Sequence, residues 1–175
     1  AVASVGVLAD PDVTVDDDPI PGLLEHFSAR IEVARAHGVE RLVIDPGMGF
    51  FLGRDPRASI AVLQRIAVLR ARFGRPVLVS VSRKSFLREI TGSGLDAIGA
   101  ATLASELFAA QSGTDWIRTH DVRALRDGLC IHAALAHDGL DDPLHLGVPQ
   151  LGLGLPFELG LGELHANHRG ETLAH

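Results

Sequence analysis

The chain has 175 residues, 46% of them hydrophobic and 22% charged, which is enough for one domain with a packed core. Its formal net charge of −6 argues against a nucleic-acid partner, so any bound anion must be held by a local cationic cluster against the global field. The single cysteine, Cys130, excludes an internal disulfide framework and a cysteine-rich zinc site and fits a reducing, cytoplasmic setting; no run of about 18 apolar residues offers a membrane span.

The first eight residues lack the basic flank of a signal peptide. Val2 to Leu8 reads as a strand, and with no initiator Met the natural chain is expected to begin earlier. Asp10 lies at its turn-rich exit, and Asp16 to Pro19 continues as an acidic loop. A helix follows from about Pro21 to His37, with Leu23, Phe27, Ile31 and Ala34 on one face and Gly38 as its cap. Arg41 to Asp45 is a short, almost wholly apolar second strand. Pro46 to Gly53 is a glycine-rich loop. Asp55 before Pro56 suits a helix N-cap, and Ile60, Leu63, Ile66 and Leu69 extend the helical spacing to Phe73-Gly74.

Pro76 to Val81 reads as a third strand, which breaks into Ser82-Arg83-Lys84-Ser85. Two cations and two hydroxyls at the end of a buried strand are costly unless an anionic or hydrogen-bonding ligand meets them. A short helix over Phe86 to Ile90 ends at Thr91-Gly-Ser-Gly94. Ala97 to Ala110 is a helix of small residues suited to close packing on a sheet. Thr114 to Arg118 is a fourth strand, Thr119-His-Asp-Val122 its exit, and Val122 to about Ala136 the last helix. Cys130 falls on that helix as a small buried hydrophobe.

The order strand–helix, four times over, requires parallel strands with right-handed crossovers. Asp10, Asp45, the Ser82–Ser85 cluster, Arg118 and His120 then all fall at one rim, where open α/β sheets and α/β barrels keep their chemistry. From about Gly139 leucine and glycine mix without a period, so residues 139–175 read as an irregular or disordered tail, and its histidines as incidental to any metal site.

Three motifs together, Ile44-Asp-Pro-Gly-Met-Gly-Phe50, Val81-Ser-Arg-Lys-Ser-Phe86 and Ile117-Arg-Thr-His-Asp-Val122, resemble the last three strand ends of the dihydropteroate synthases. The likeness runs from about Gly22 to Ala136. It implies a (β/α)8 TIM barrel, of which residues 1–138 would supply about four βα units as the C-terminal half. It also implies the family reaction, in which 4-aminobenzoate joins a 6-hydroxymethyl-dihydropterin diphosphate and diphosphate leaves. Magnesium would be expected with the diphosphate, bound mainly through substrate oxygens. A homodimer is implied for the full-length enzyme, with small-molecule substrates and neither nucleic acid nor membrane as partner.

Carried over by position, Asp45 matches the carboxylate that pairs with the pterin ring edge, accepting from an N–H and an amino group at once. Lys84 matches the lysine on the pterin carbonyl and ring nitrogen. Arg83 and Ser85 match residues near the aminobenzoate site, and Phe50 an apolar wall for that ring. Arg118 and His120 match the diphosphate-binding pair, a planar fork beside a titratable donor.

Two departures stand out. Phe51-Leu-Gly-Arg54 replaces a stretch in which the family carries a lysine or similar polar residue. The family's first half bears loops with a substrate-binding Asn and Asp, and Asp10 comes too late to be one of them. The chain alone is therefore expected to be inactive, and a half barrel with open edges to self-associate. A non-catalytic pterin-binding paralogue is one alternative. A folate-dependent methyltransferase of the same barrel superfamily is another, disfavoured by motifs that suit a diphosphate-bearing substrate.

Overall fold

The computed structural model describes residues 3–6 by their backbone, together with residues 18–52 and 55–136. Asp10, Arg54 and the tail from 139 onward lie outside the described residues.

The four strands form in the expected order. β1 (Ala3–Gly6) runs parallel to β2 (Leu42–Asp45), with Gly6 opposite Asp45. Ile44 bridges in parallel to Val77, and β3 (Leu78–Val79) pairs in parallel with β4 (Trp116–Ile117). The third and fourth strands are shorter than their apolar runs suggested, two residues each in place of Pro76–Val81 and Thr114–Arg118. Backbone bonds extend the pairing a little: Trp116 N–H donates to Val77 O and Arg118 N–H to Val79 O. Beyond Val79 the chain turns to present Ser82 to Ser85.

Ile44, Val77, Val79 and Val81 are fully buried. A strand covered on both faces reads as a continuous apolar run, as parallel strands flanked by helices do. α1 (Ile20–Ala36) covers one face with Ile20, Leu23, Phe27 and Ile31, at the spacing its sequence displays. Ala34 packs at the margin of the same core. The helix begins one residue before Pro21, because Asp18 Oδ1 accepts from the Ile20 N–H and Pro21 needs no donor in the first turn. It ends at Ala36, with Gly38 in the left-handed region just beyond.

The helix expected to run unbroken from Pro56 to Phe73 is divided in two. α2 (Pro56–Gln64) starts on the predicted cap, where Asp55 accepts from the Arg57 N–H at 2.8 Å. α3 (Ile66–Phe73) follows after Arg65, whose φ of −123° leaves the helical range. Arg65 pairs with Asp18 at 2.7 Å, so the break ties this layer to the start of α1 while Leu63 and Ile66 both stay buried. α4 (Ser85–Thr91) begins one residue before Phe86, which places Ser85 in its first turn.

A 3-10 turn over Leu95–Ala97 leads into α5 (Gly99–Gln111), and α6 (Val122–Ala136) packs on α5. The two helices approach closely at Gly128, where a Cβ would fall 2.9 Å from Leu103 Cδ1. Cys130 is half-buried on α6 rather than fully buried, because only the stripe through Leu125 and Ala133 reaches the core.

Candidate active site at the strand ends

The exit of β2 carries Asp45. Its Oδ1 accepts from the Gly47 N–H at 3.0 Å, which folds Pro46-Gly47 back as a local turn. Gly47 and Gly49 both hold positive φ. Gly49 has a further reason to lack a side chain, since a Cβ there would meet Ser85 Oγ at 3.1 Å. Its N–H donates to the buried Ser59 Oγ of α2 at 2.9 Å. The glycine loop thus lies against the first turn of α4. Phe50 follows in a 3-10 turn over Gly49–Leu52, and its side chain lies outside the described residues.

The exit of β3 carries the basic cluster. Arg83 is exposed and holds φ of +60°, the one non-glycine residue with positive φ among the described residues. Such a conformation costs on the order of 1 kcal/mol for a residue with a Cβ, and strain of this kind gathers at functional sites. Its N–H donates to Thr102 Oγ1 at 3.4 Å, a long bond from α5. The strained residue turns the chain so that Lys84 follows directly and caps α4. Lys84 is half-buried, and Ser85 beside it is half-buried against Gly49.

The exit of β4 carries Arg118 and His120. Both are exposed, and both are tethered to serines of the neighbouring exit. Arg118 Nε donates to Ser80 Oγ at 3.2 Å. His120 meets Ser82 Oγ twice, its backbone N–H at 3.2 Å and its Nδ1 at 2.9 Å. Ser80 and Ser82 are themselves buried, so their hydroxyls fix the bases of two otherwise mobile side chains.

The three exits act on one group. Burial, and then the positive charge of Arg118, lower the Lys84 pKa from its ordinary value near 10.5, while Asp45 opposes them. Lys84 therefore lies within electrostatic reach of both the carboxylate and the guanidinium. That arrangement places two cations and one carboxylate on one side of the sheet, with hydroxyls beneath and a glycine loop alongside. It can hold an anion at the Arg118–His120 end and a neutral ring with paired N–H donors at the Asp45 end.

Of the residues singled out in the sequence, Asp45, Lys84, Ser85, Arg118 and His120 share this rim, and Arg83 serves it through its backbone. Ser80, Thr102 and Glu106 escaped notice, and Ser82 was marked only as one of the two hydroxyls of the basic cluster. Strand alternation could have flagged Ser80, a polar residue in an apolar run. A further signal was available for Lys84, which is the only lysine in the sequence against fifteen arginines. A chain that otherwise uses arginine for every cation has placed its one ammonium here.

The profile of the pterin binding enzymes matches residues 10–120. The chain belongs to that family. Among its curated relatives it is 55% identical over 123 residues to a dihydropteroate synthase type-2 of Escherichia coli, covering 67% of this chain and 45% of the relative. It is 44% identical over 124 residues to a type-3 enzyme of the same organism, covering 70% and 47%. Among solved structures, a Xanthomonas albilineans dihydropteroate synthase with 4-aminobenzoic acid superposes with a TM-score of 0.70 at 29% identity, over 79% of this chain and 50% of that one. The chain thus spans about half the length of the relatives it matches, and its fold is a partial α/β barrel of the TIM type.

Proposed function

We propose that residues 1–138 are the C-terminal half of a dihydropteroate synthase barrel, a transferase of folate biosynthesis. It would condense 4-aminobenzoate with (7,8-dihydropterin-6-yl)methyl diphosphate to give dihydropteroate and diphosphate. The observation that carries this reading is that Lys84 lies within electrostatic reach of both Asp45 and Arg118, each at the exit of a different strand. The relatives and the dihydropteroate- and aminobenzoate-bearing structures of Xanthomonas albilineans support it.

In this reading Asp45 accepts from the amino group and ring N–H of the pterin, and Lys84 donates to the ring carbonyl and nitrogen. Arg118 and His120 hold the diphosphate. As the bond to the leaving group breaks, negative charge grows on the diphosphate beside two fixed donors, and the positive charge left on the pterin is eased by Asp45. The aromatic amine then attacks the exocyclic carbon and gives up its proton to the departing diphosphate. By the family resemblance Ser85, Arg83 and Phe50 would belong to the aminobenzoate end of the site.

Among the described residues no three His, Cys, Asp or Glu side chains gather as a metal ligand set. Magnesium in this reading enters on the oxygens of the diphosphate, with any protein ligand supplied by the other half of the barrel. No described helix is long and apolar enough to cross a membrane. We place the enzyme in the cytoplasm and read it as a homodimer in its full length, supported by Ile131 and Leu135, a turn apart and exposed on α6. Residues 139–175 are outside the catalytic reading.

Two measurements test the proposal. Calorimetry with the pterin diphosphate should show binding that falls in both Asp45→Ala and Arg118→Ala; binding indifferent to both would sink the assignment. Diphosphate release with aminobenzoate should be slight for this chain alone, and turnover restored by the first half of a relative would separate an enzyme from a non-catalytic pterin binder.

A further inference from the structure

Thr102 and Glu106 are the buried polar side chains of α5, one turn apart and so on one face. Each meets a different rim turn. Thr102 Oγ1 accepts from the Arg83 N–H, in the turn that presents Lys84. Glu106 lines one cleft with His120 and Asp121 of the β4–α6 turn, and the Thr119 side chain of that turn, between Arg118 and His120, favours its charged form. Thr119 Oγ1 accepts from the Asp121 N–H at 3.1 Å, which ties the hydroxyl to its own turn.

Glu106 is only 1% exposed, and its Oε1 has no partner among the described residues. Packing alone would favour an apolar residue here, because a buried acid costs desolvation that one hydroxyl does not repay. The carboxyl group lines a cleft of about 380 Å³ between the rim turns and α5. The titratable groups that face the same cleft are His120 and Asp121 from the β4–α6 turn, Arg83 from the β3–α4 turn and Asp96 from the 3-10 turn.

We propose that Glu106 is a positioning residue: through Thr119 it sets the β4–α6 turn so that Arg118 and His120 face one anion together, while Thr102 sets the turn that carries Lys84. This inference rests on the reading of Arg118 and His120 as the diphosphate pair. Burial raises the Glu106 pKa, Thr119 opposes it, and Asp121 adds to the rise. In the protonated form Glu106 braces the turn without placing a negative charge beside the anion. As pH rises through its raised pKa, the new charge repels the anion, and affinity falls.

The test is calorimetric titration of the 175-residue chain with inorganic diphosphate over a range of pH. Glu106→Ala and Thr119→Val should each weaken binding about tenfold, the effect of losing one buried hydrogen-bond partner. Glu106→Gln should stay within about threefold of wild type, since the amide can still meet Thr119, and should lack the loss of affinity at higher pH that wild type displays. A role in folding alone would not move that pH profile. Thr119→Val, at a half-buried turn, carries the test if Glu106→Ala does not fold. Wild-type affinity in both Glu106→Ala and Thr119→Val, or an unchanged pH profile in Glu106→Gln, overturns the inference alone. A wild-type chain that binds no diphosphate overturns it together with the reading beneath it.

Discussion

Arg118 and Lys84 bring like charges within reach of each other, and the guanidinium helps to lower the lysine's pKa. Nothing in an apolar sheet requires two cations to approach; an anion between them would turn repulsion into attraction. Arg118 is held in that position by Ser80, and the turn that carries Lys84 is held by the strained backbone of Arg83.

Lys84 is the only lysine, so amine-reactive labelling reports on it and on the N-terminus alone. Its labelling should reach half-maximum below the ordinary lysine value near 10.5, and diphosphate should move it upward and slow the reaction. The same depression has a sign in stability. Between the folded and unfolded pKa values the unfolded chain holds more protons on Lys84, so its contribution to stability rises with pH through that window. Labelling that follows a free amine, read by mass spectrometry across pH, would remove the electrostatic basis of the site.

Gly49→Ala should destabilise the chain by about 1–3 kcal/mol, the usual cost of forcing a Cβ into the left-handed region. The new methyl would also press on Ser85 Oγ, 3.1 Å from the ideal Cβ position. Denaturant unfolding measures the first effect. A variant as stable as wild type would show that the loop lies elsewhere.

Ser82→Ala removes the hydroxyl that meets His120 at both its backbone N–H and Nδ1. The loss in stability should be about 1 kcal/mol. Diphosphate binding should fall several-fold, because His120 is freed to rotate. Equal affinity in titration calorimetry would mean that Ser82 does not orient the imidazole.

Glu106 should make the protein less stable as pH rises. Its folded pKa is raised above the ordinary 4.5, so the stability it contributes is complete below that value and is lost as pH climbs through the folded one. Thermal melts across this range should decline in wild type and flatten in Glu106→Gln. Parallel curves for the two proteins would contradict a buried, neutral acid.

β1 and β4 each pair with one neighbour among the described strands. Open strand edges recruit further strands. Light scattering of the 175-residue chain should therefore show association that grows with concentration. A stable monomer at every concentration would mean that the edges are covered.

The alternation of apolar strands and helical spacings determined the parallel α/β order, because a strand buried on both faces and a helix with one apolar stripe leave few other arrangements. The polar clusters at the strand ends were legible for the same reason: Asp45, Lys84 and Arg118 interrupt apolar runs at matching places. The break at Arg65 was not legible, since the apolar spacing runs straight through it and the partner of Arg65, Asp18, lies forty-seven residues away. Nor was the bracing by Ser80, Ser82, Thr102 and Glu106. Each looks like an ordinary polar residue in its own segment. Its partner comes from another strand exit, brought near only when the crossovers close, so tertiary packing alone decided which hydroxyl holds which cation.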